Sequence, residues 1–188
     1  MRRILTAAFI IFLGMSGVMG CKPGLLPTQE AGKPKVTLDR VEIQHYSPWT
    51  DFPCRTTLAL GFIFNIQNPS SHDLKLEQLK FTLLFEAVPK EYLALAAPET
   101  FDTVYFPPDT VSQYRVVTVL DSTALLRIFE HADKPNIRSL NGAEVIKQWF
   151  TKIGDFAFGI KIENGVATFS REGTENEIEA PFEGKFPN

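Results

Sequence analysis

Thr56-Thr-Leu-Ala-Leu-Gly-Phe-Ile-Phe-Asn-Ile-Gln-Asn68 decides the fold. Leu58, Leu60, Phe62, Phe64 and Ile66 alternate with Ala59, Gly61, Ile63, Asn65 and Gln67. A period of two is the mark of an extended strand with distinct faces. The Leu/Phe face belongs in a core. The other face, small or polar, suits the wetter side of an antiparallel sheet. Asn68-Pro69-Ser70-Ser71-His72-Asp73 then breaks the chain. Proline fixes φ and lacks a donor, and Asn, Ser and Asp side chains bond nearby backbone. Asn68 and Pro69 are therefore read as structural turn residues: the amide bonds turn backbone and the proline locks the exit.

Working outward, a second strand starts at Leu74. Leu74 and Leu76 share one parity, and Leu79, Phe81, Leu83 and Phe85 take the other. The slip predicts a bulge at Glu77-Gln78. Upstream, Val36 and Leu38 change parity to Val41 and Ile43, so a bulge or bend is expected near Asp39-Arg40. Ser47 to Pro53 carries two prolines and reads as a loop. Downstream come a short apolar run at Leu93 to Ala96, a brief strand at Thr103 to Phe106, a turn at Pro107 to Thr110, and a strand at Val111 to Leu120. Short strands between Pro-, Asn- and Asp-rich turns describe a β-sandwich.

Two helices are predicted inside this β pattern. Ser122 is read as the N-cap of Thr123 to His131, with Leu125, Leu126 and Phe129 at helical spacing. Asn141 heads a second, with Glu144 placed for a capping box, and Gly154 ending it. Val145, Ile146, Trp149, Phe150 and Ile153 form one apolar stripe, expected in core packing rather than at a partner site. Strand is expected again from Asp155 to Glu163, a hairpin turn at Asn164-Gly165, and a return from Val166 to Arg171. Glu172 to Glu177 reads as a charged loop, and Ile178 to Phe186 as the last strand.

The first twenty residues have a different character. Arg2 and Arg3 precede a nearly continuous apolar run from Ile4 to Met15, followed by Val18-Met19-Gly20-Cys21. The run is short of the ~20 residues of a membrane-spanning helix and suits a signal peptide. The order of charge, apolar run and Gly-Cys resembles the lipobox of bacterial lipoproteins. That resemblance implies cleavage before Cys21 and diacylglycerol on its thiol. Each buried methylene contributes ~0.8 kcal/mol, so two or three chains hold the protein firmly on a membrane. Residues 21–33 then read as a lipidated cysteine and a flexible tether, rich in Pro and Gly, and residues 34–188 as one β-sandwich domain. Lys22 stands where an Asp would resemble an inner-membrane retention signal. The expected location is the outer membrane, facing the periplasm.

Composition bounds the rest. A chain of this length past Gly20 suits one domain, burying ~70% of its unfolded surface. Sixteen Phe and 44% hydrophobic residues point to a packed core. The formal charge of −3 would become more negative on loss of Arg2 and Arg3, which argues against nucleic acid as partner. With Cys21 lipidated, Cys54 stands alone, and it is read as a buried or bystander thiol. No Gly-x-Ser-x-Gly, His-Glu-x-x-His, Cys-x-x-Cys or P-loop occurs. His45, His72 and His131 are far apart in sequence and are expected on the surface. Glu86, Glu91, Glu99 and Asp102 are expected to be solvated, with Asp73 and Asp109 as turn residues. No catalytic, metal or cofactor site is expected.

The strand order resembles a type 2 late-embryogenesis-abundant domain, also called the WHy domain. Leu58 to Ser70, an alternating strand ending in Asn68-Pro69-Ser70, is similar to the family's signature. Leu74 to Leu83, Pro34 to Leu38 and Ala180-Pro181-Phe182-Glu-Gly184 are similar to other parts, so the likeness spans roughly Lys33 to Phe186. The chain departs from the family pattern at Glu86-Ala-Val-Pro89, at Phe106-Pro107-Pro108 and in its long helical span Ser122 to Ile153. The resemblance implies an immunoglobulin-like or fibronectin III-like sandwich with an inserted helical segment, no known catalysis, and a link to stress and desiccation tolerance. The expected partners are the membrane, through lipid on Cys21, and an envelope protein or client. A lipid or small hydrophobic ligand carrier is the alternative, and an enzyme of unrecognised type the third reading.

Overall fold

The computed structural model describes residues 32–52, 54–171 and 176–187. The expected leader, Cys21, nearly all of the tether, Pro53 and most of the charged loop after Arg171 lie outside the described residues. Among the described residues, nine strands run in chain order: β1 (Lys35–Tyr46), β2 (Thr57–Asn68), β3 (Leu74–Val88), β4 (Glu91–Ala96), β5 (Glu99–Thr100), β6 (Val104–Phe106), β7 (Thr110–Asp121), β8 (Ile160–Arg171) and β9 (Glu177–Phe186). Helices α1 (Ser122–Glu130), α2 (Pro135–Arg138) and α3 (Gly142–Lys152) and a 3-10 turn at Ile153–Asp155 interrupt them between β7 and β8.

The strands form two antiparallel sheets. One has the order β1-β2-β7, the other β4-β3-β8-β9. β5 and β6 also pair with β3. They take the edge already used by β4, so three short segments lie end to end along one long strand. This is the immunoglobulin/fibronectin III-like sandwich, with the helical segment in the crossover between the sheets.

The alternation in β2 explains the core. Leu58, Leu60, Phe62, Phe64 and Ile66 are all fully buried. Phe62 and Phe64 meet Phe81 of β3 edge to face at 5.4 and 5.5 Å, and Phe64 meets Phe182 of β9 at 5.2 Å. Such tilted pairs add about 0.5–1.5 kcal/mol each beyond burial. β9 also closes on β1 at one side of the sandwich. A β-carbon on Gly184 would stand 2.8 Å from that of Leu38, so the approach requires glycine.

The other face of β2 is wet only toward its end: Asn65 is half-buried and Gln67 exposed as expected, but Ala59, Gly61 and Ile63 are buried too. Ile63 is 2% exposed and Ala59 8%. β2 is central in its sheet, and its neighbours' side chains roof it. Arg40 of β1 and Arg115 of β7 both stand in register with Ile63. Their guanidinium groups pair with Glu42, at 2.8 and 2.9 Å, while long stems of this kind cover apolar surface. Gln44 lies over Gly61, its amide nitrogen 2.8 Å from where a β-carbon would sit.

The bulges expected at Asp39-Arg40 and Glu77-Gln78 are present as register shifts at Leu38/Arg40 and Leu76/Gln78. The hairpin at Asn164-Gly165 is not. β8 runs unbroken from Ile160 to Arg171 between β3 and β9, and the pair forms a bulge, with Asn164 left-handed at φ 52°. A residue pair suited to a tight turn is equally suited to one extra residue in a strand. The strand expected from Asp155 begins only at Ile160. Helix α3 does not end at Gly154 either: the 3-10 turn carries on, and Phe156 takes the left-handed position at φ 47°. Phe156 tolerates it in contact with Phe186, 4.9 Å away.

The N-cap of α1 is Asp121, not Ser122. Its carboxylate accepts from Thr123 N and Ala124 N at 3.0 Å. Ser122 is fully buried instead, and its Oγ accepts from Thr56 N at 3.0 Å. Asn141 caps α3 as expected, accepting from Glu144 N at 3.4 Å. α2, headed by Pro135 in its first turn, was not predicted. The α3 stripe faces inward: Ile146, Trp149, Phe150 and Ile153 are buried. No helix among the described residues is long and apolar enough to cross a membrane.

Candidate interaction surfaces

The chain enters the sandwich at Lys35, beside the end of β2, since Lys35 pairs with Gln67. At this end stands Asn68, with no exposed surface. Its Nδ2 donates to the carbonyls of His72 and Phe106 at 2.8 Å and of Pro107 at 3.1 Å. Its Oδ1 accepts from Ser70 N at 3.0 Å and from Ser70 Oγ at 2.7 Å. One amide thus ties the β2–β3 turn to the β6–β7 turn. Every polar atom it offers is spent on backbone or on Ser70, and it has none to give a ligand. Pro69 is exposed.

The opposite end carries the helices. Trp149 of α3 meets Phe85 of β3 edge to face at 5.4 Å, Phe129 of α1 at 5.3 Å and Phe158 at 6.2 Å. Its indole Nε1 donates to Glu86 O at 2.8 Å. Phe150 meets Trp49 of the β1–β2 loop at 5.7 Å. This aromatic cap seals the sandwich. It also leaves a groove of about 320 Å³ between β4 and the end of α1, with Leu84, Leu93, Ile128 and Ala132 as apolar walls and His131 and Lys134 at its mouth.

Of the acidic residues read as solvated, Glu99 and Asp102 are exposed and Glu86 and Glu91 half-buried, and all four accept hydrogen bonds. The N–H groups of Lys90 and Gly159 hold the Glu86 carboxyl below the ordinary carboxylate value, at 2.7 and 3.1 Å, clamping the β3–β4 turn to the start of β8. Glu99 accepts from Gln78, Glu91 from Asn136, and Asp102 from the Tyr114 hydroxyl at 2.8 Å. Burial pushes the Asp121 carboxyl up. Donation from Ala124 N, Arg55 and Thr123 N outweighs that and leaves it lowered. Asp109 is a turn residue with φ 54°, and Asp73 is exposed. His45, His72, His131 and Cys54 are all exposed. Among the described residues no three His, Cys, Asp or Glu side chains stand close enough to hold a metal ion.

One surface was invisible in the sequence. Among the described residues β7 pairs with β2 alone, through twelve consecutive residues without a register shift. Val111, Val117 and Val119 on its outward face are 62%, 53% and 64% exposed. Val111 to Leu120 read as a strand, but alternation does not say whether a strand is central or at an edge.

No family model and no curated protein sequence matches the chain. Solved structures align with it over most of its length at low identity and low structural similarity. A protein from Archaeoglobus fulgidus is 12% identical, with 81% of this chain and 98% of that one covered and a TM-score of 0.39. A solution structure from Arabidopsis thaliana is 11% identical, covering 82% and 80%, with a TM-score of 0.47. The putative ApaA protein from Bordetella pertussis is 12% identical, covering 82% and 94%, with a TM-score of 0.38.

Proposed function

We propose that this protein is a non-catalytic envelope lipoprotein, anchored through lipid on Cys21, whose type 2 late-embryogenesis-abundant-like domain works by contact: it binds other proteins or protects them under stress. The observation that carries this reading is the employment of its polar groups. Asn68, Glu86, Asp102 and Asp121 are engaged in holding backbone or neighbouring side chains. The histidines are exposed and dispersed. What remains available is surface: a helical cap and an open strand edge.

The anchor is tested by metabolic labelling with palmitate and by globomycin. Incorporated label and an accumulated precursor are expected; neither appearing removes the lipoprotein reading. Protection is tested by deleting the gene and measuring survival after drying, osmotic shock and heat. Survival equal to the parent strain in all three counts against it. The carrier reading also has one observation behind it, the groove between β4 and α1. The Phe-lined space between the sheets does not serve that reading, because its rings pack against each other and are buried. Native mass spectrometry of protein purified from membranes should detect a bound lipid if the groove carries one.

A further inference from the structure

The open edge of β7 has the features of a pairing surface rather than of a protected edge. Natural edge strands are kept from pairing by shortness, proline, bulges or inward charges. β7 is twelve residues long, holds no proline and has no bulge against β2. The backbone direction follows from its end. Ser122 N donates to Thr56 O at 2.9 Å, so even-numbered residues of the antiparallel ladder turn their N–H and C=O groups toward β2. Odd-numbered residues turn theirs toward the open edge. These are the residues whose side chains form the outward stripe: Arg115, Val117, Val119 and Asp121.

The geometry points to a second copy of this chain as the occupant, with β7 pairing antiparallel to β7 of that copy about a two-fold axis at Thr118. Such an interface uses the same patch twice, so the patch must complement itself. In this register Val117 of each copy faces Val119 of the other. Arg115 faces Asp121, opposite charges across the strands, each also paired within its own copy, to Glu42 and to Arg55. A register centred on Arg115 would instead set two arginines against each other. Thr118 is 8% exposed, and its Oγ1 is buried with no hydrogen-bond partner. On the axis, Thr118 forms a non-hydrogen-bonded pair, the closer of the two antiparallel spacings, which brings a second hydroxyl beside it. The half of β7 used here, Arg115 to Asp121, lies beyond Tyr114, whose hydroxyl is tied to Thr100 of β5 and to Asp102 of the β5–β6 loop. This association does not depend on the lipid anchor or on any client.

The test uses the full chain purified from membranes in detergent, with Cys54→Ala as background. Sedimentation corrected for detergent is expected to give a dimer, and the double variant Val117→Lys/Val119→Lys, which changes only exposed side chains, a monomer. In the same background Thr118→Cys is expected to crosslink to itself under mild oxidation, because directly opposed residues meet disulfide geometry, while Val111→Cys, far from the axis, is not. A monomer at every concentration overturns the proposal. So does a dimer whose mass ignores the lysines, or equal crosslinking at both positions. A monomer that instead captures an extended peptide along β7 would also overturn it.

Discussion

The two ends of the sandwich are closed by different chemistry. At the end where the chain enters, one buried amide, Asn68, joins two turns through five hydrogen bonds. At the far end, rings from α1, α3, β3 and the β1–β2 loop gather round Trp149 and Phe150. The polar closure is short and directional. The aromatic closure is broad, and it needed thirty-odd residues of helical insertion to build. A turn can be fixed by satisfying a few backbone groups, whereas an open sandwich end without such a turn must be covered with apolar surface.

Trp149→Ala should break the comparison most severely. Removing a buried indole is expected to cost about 3–5 kcal/mol, read as a lower urea midpoint. Helical signal by circular dichroism should then be lost before strand signal; simultaneous loss would mean that the cap and the sheets are one cooperative unit. Asn68→Ala should follow, at about 2–4 kcal/mol, since it strands carbonyls and both Ser70 groups without partners. Here the helical signal should hold until the sheets melt. Ser122→Ala leaves Thr56 N without its acceptor, at a cost of about 1–2 kcal/mol by the same measurement.

Acid sharpens the comparison further. Glu86 and Asp121, both at the helical end, have folded values below their unfolded ones. Their stabilisation is present above the unfolded carboxylate value, about 4, and is lost as pH falls through the folded values. The melting temperature should therefore drop below about pH 4, and Glu86→Gln should flatten that drop. The smallest expected effect has the opposite sign. The hydroxyl of Thr123 is buried without a partner, so Thr123→Ala should raise stability by about 0.5 kcal/mol.

Much of this was legible because side-chain parity is strict in a strand. β2 and the two bulges followed from it, and the α3 stripe from the period of a helix, about 3.6 residues. What escaped was whatever depends on a strand's neighbours. Ile63 is buried because arginines from β1 and β7 roof it, a fact no pattern within β2 contains. Asn164-Gly165 satisfies a turn and a bulge equally, and only the continuous pairing of β8 with β3 and β9 decides between them. Ser122 lost the cap to Asp121 because both are good caps locally, and Thr56, 66 positions earlier, claims the serine. Among site residues, Asn68 could be read from the Asn-Pro-Ser turn, whereas the open edge of β7 could not be read from β7 itself.

The close passage of Gly184 over Leu38 makes the sandwich a bound book. Its spine is the β1–β9 side, where the Leu38 side chain takes the space a β-carbon on Gly184 would need. Across its fore-edge the Tyr114 hydroxyl reaches Thr100 and Asp102, beside the β6–β7 turn that Asn68 holds. Thermal breathing in such an object starts at the fore-edge, so amide protons of the monomeric lysine variant should exchange with deuterium in β7 well before those of β8 and β9.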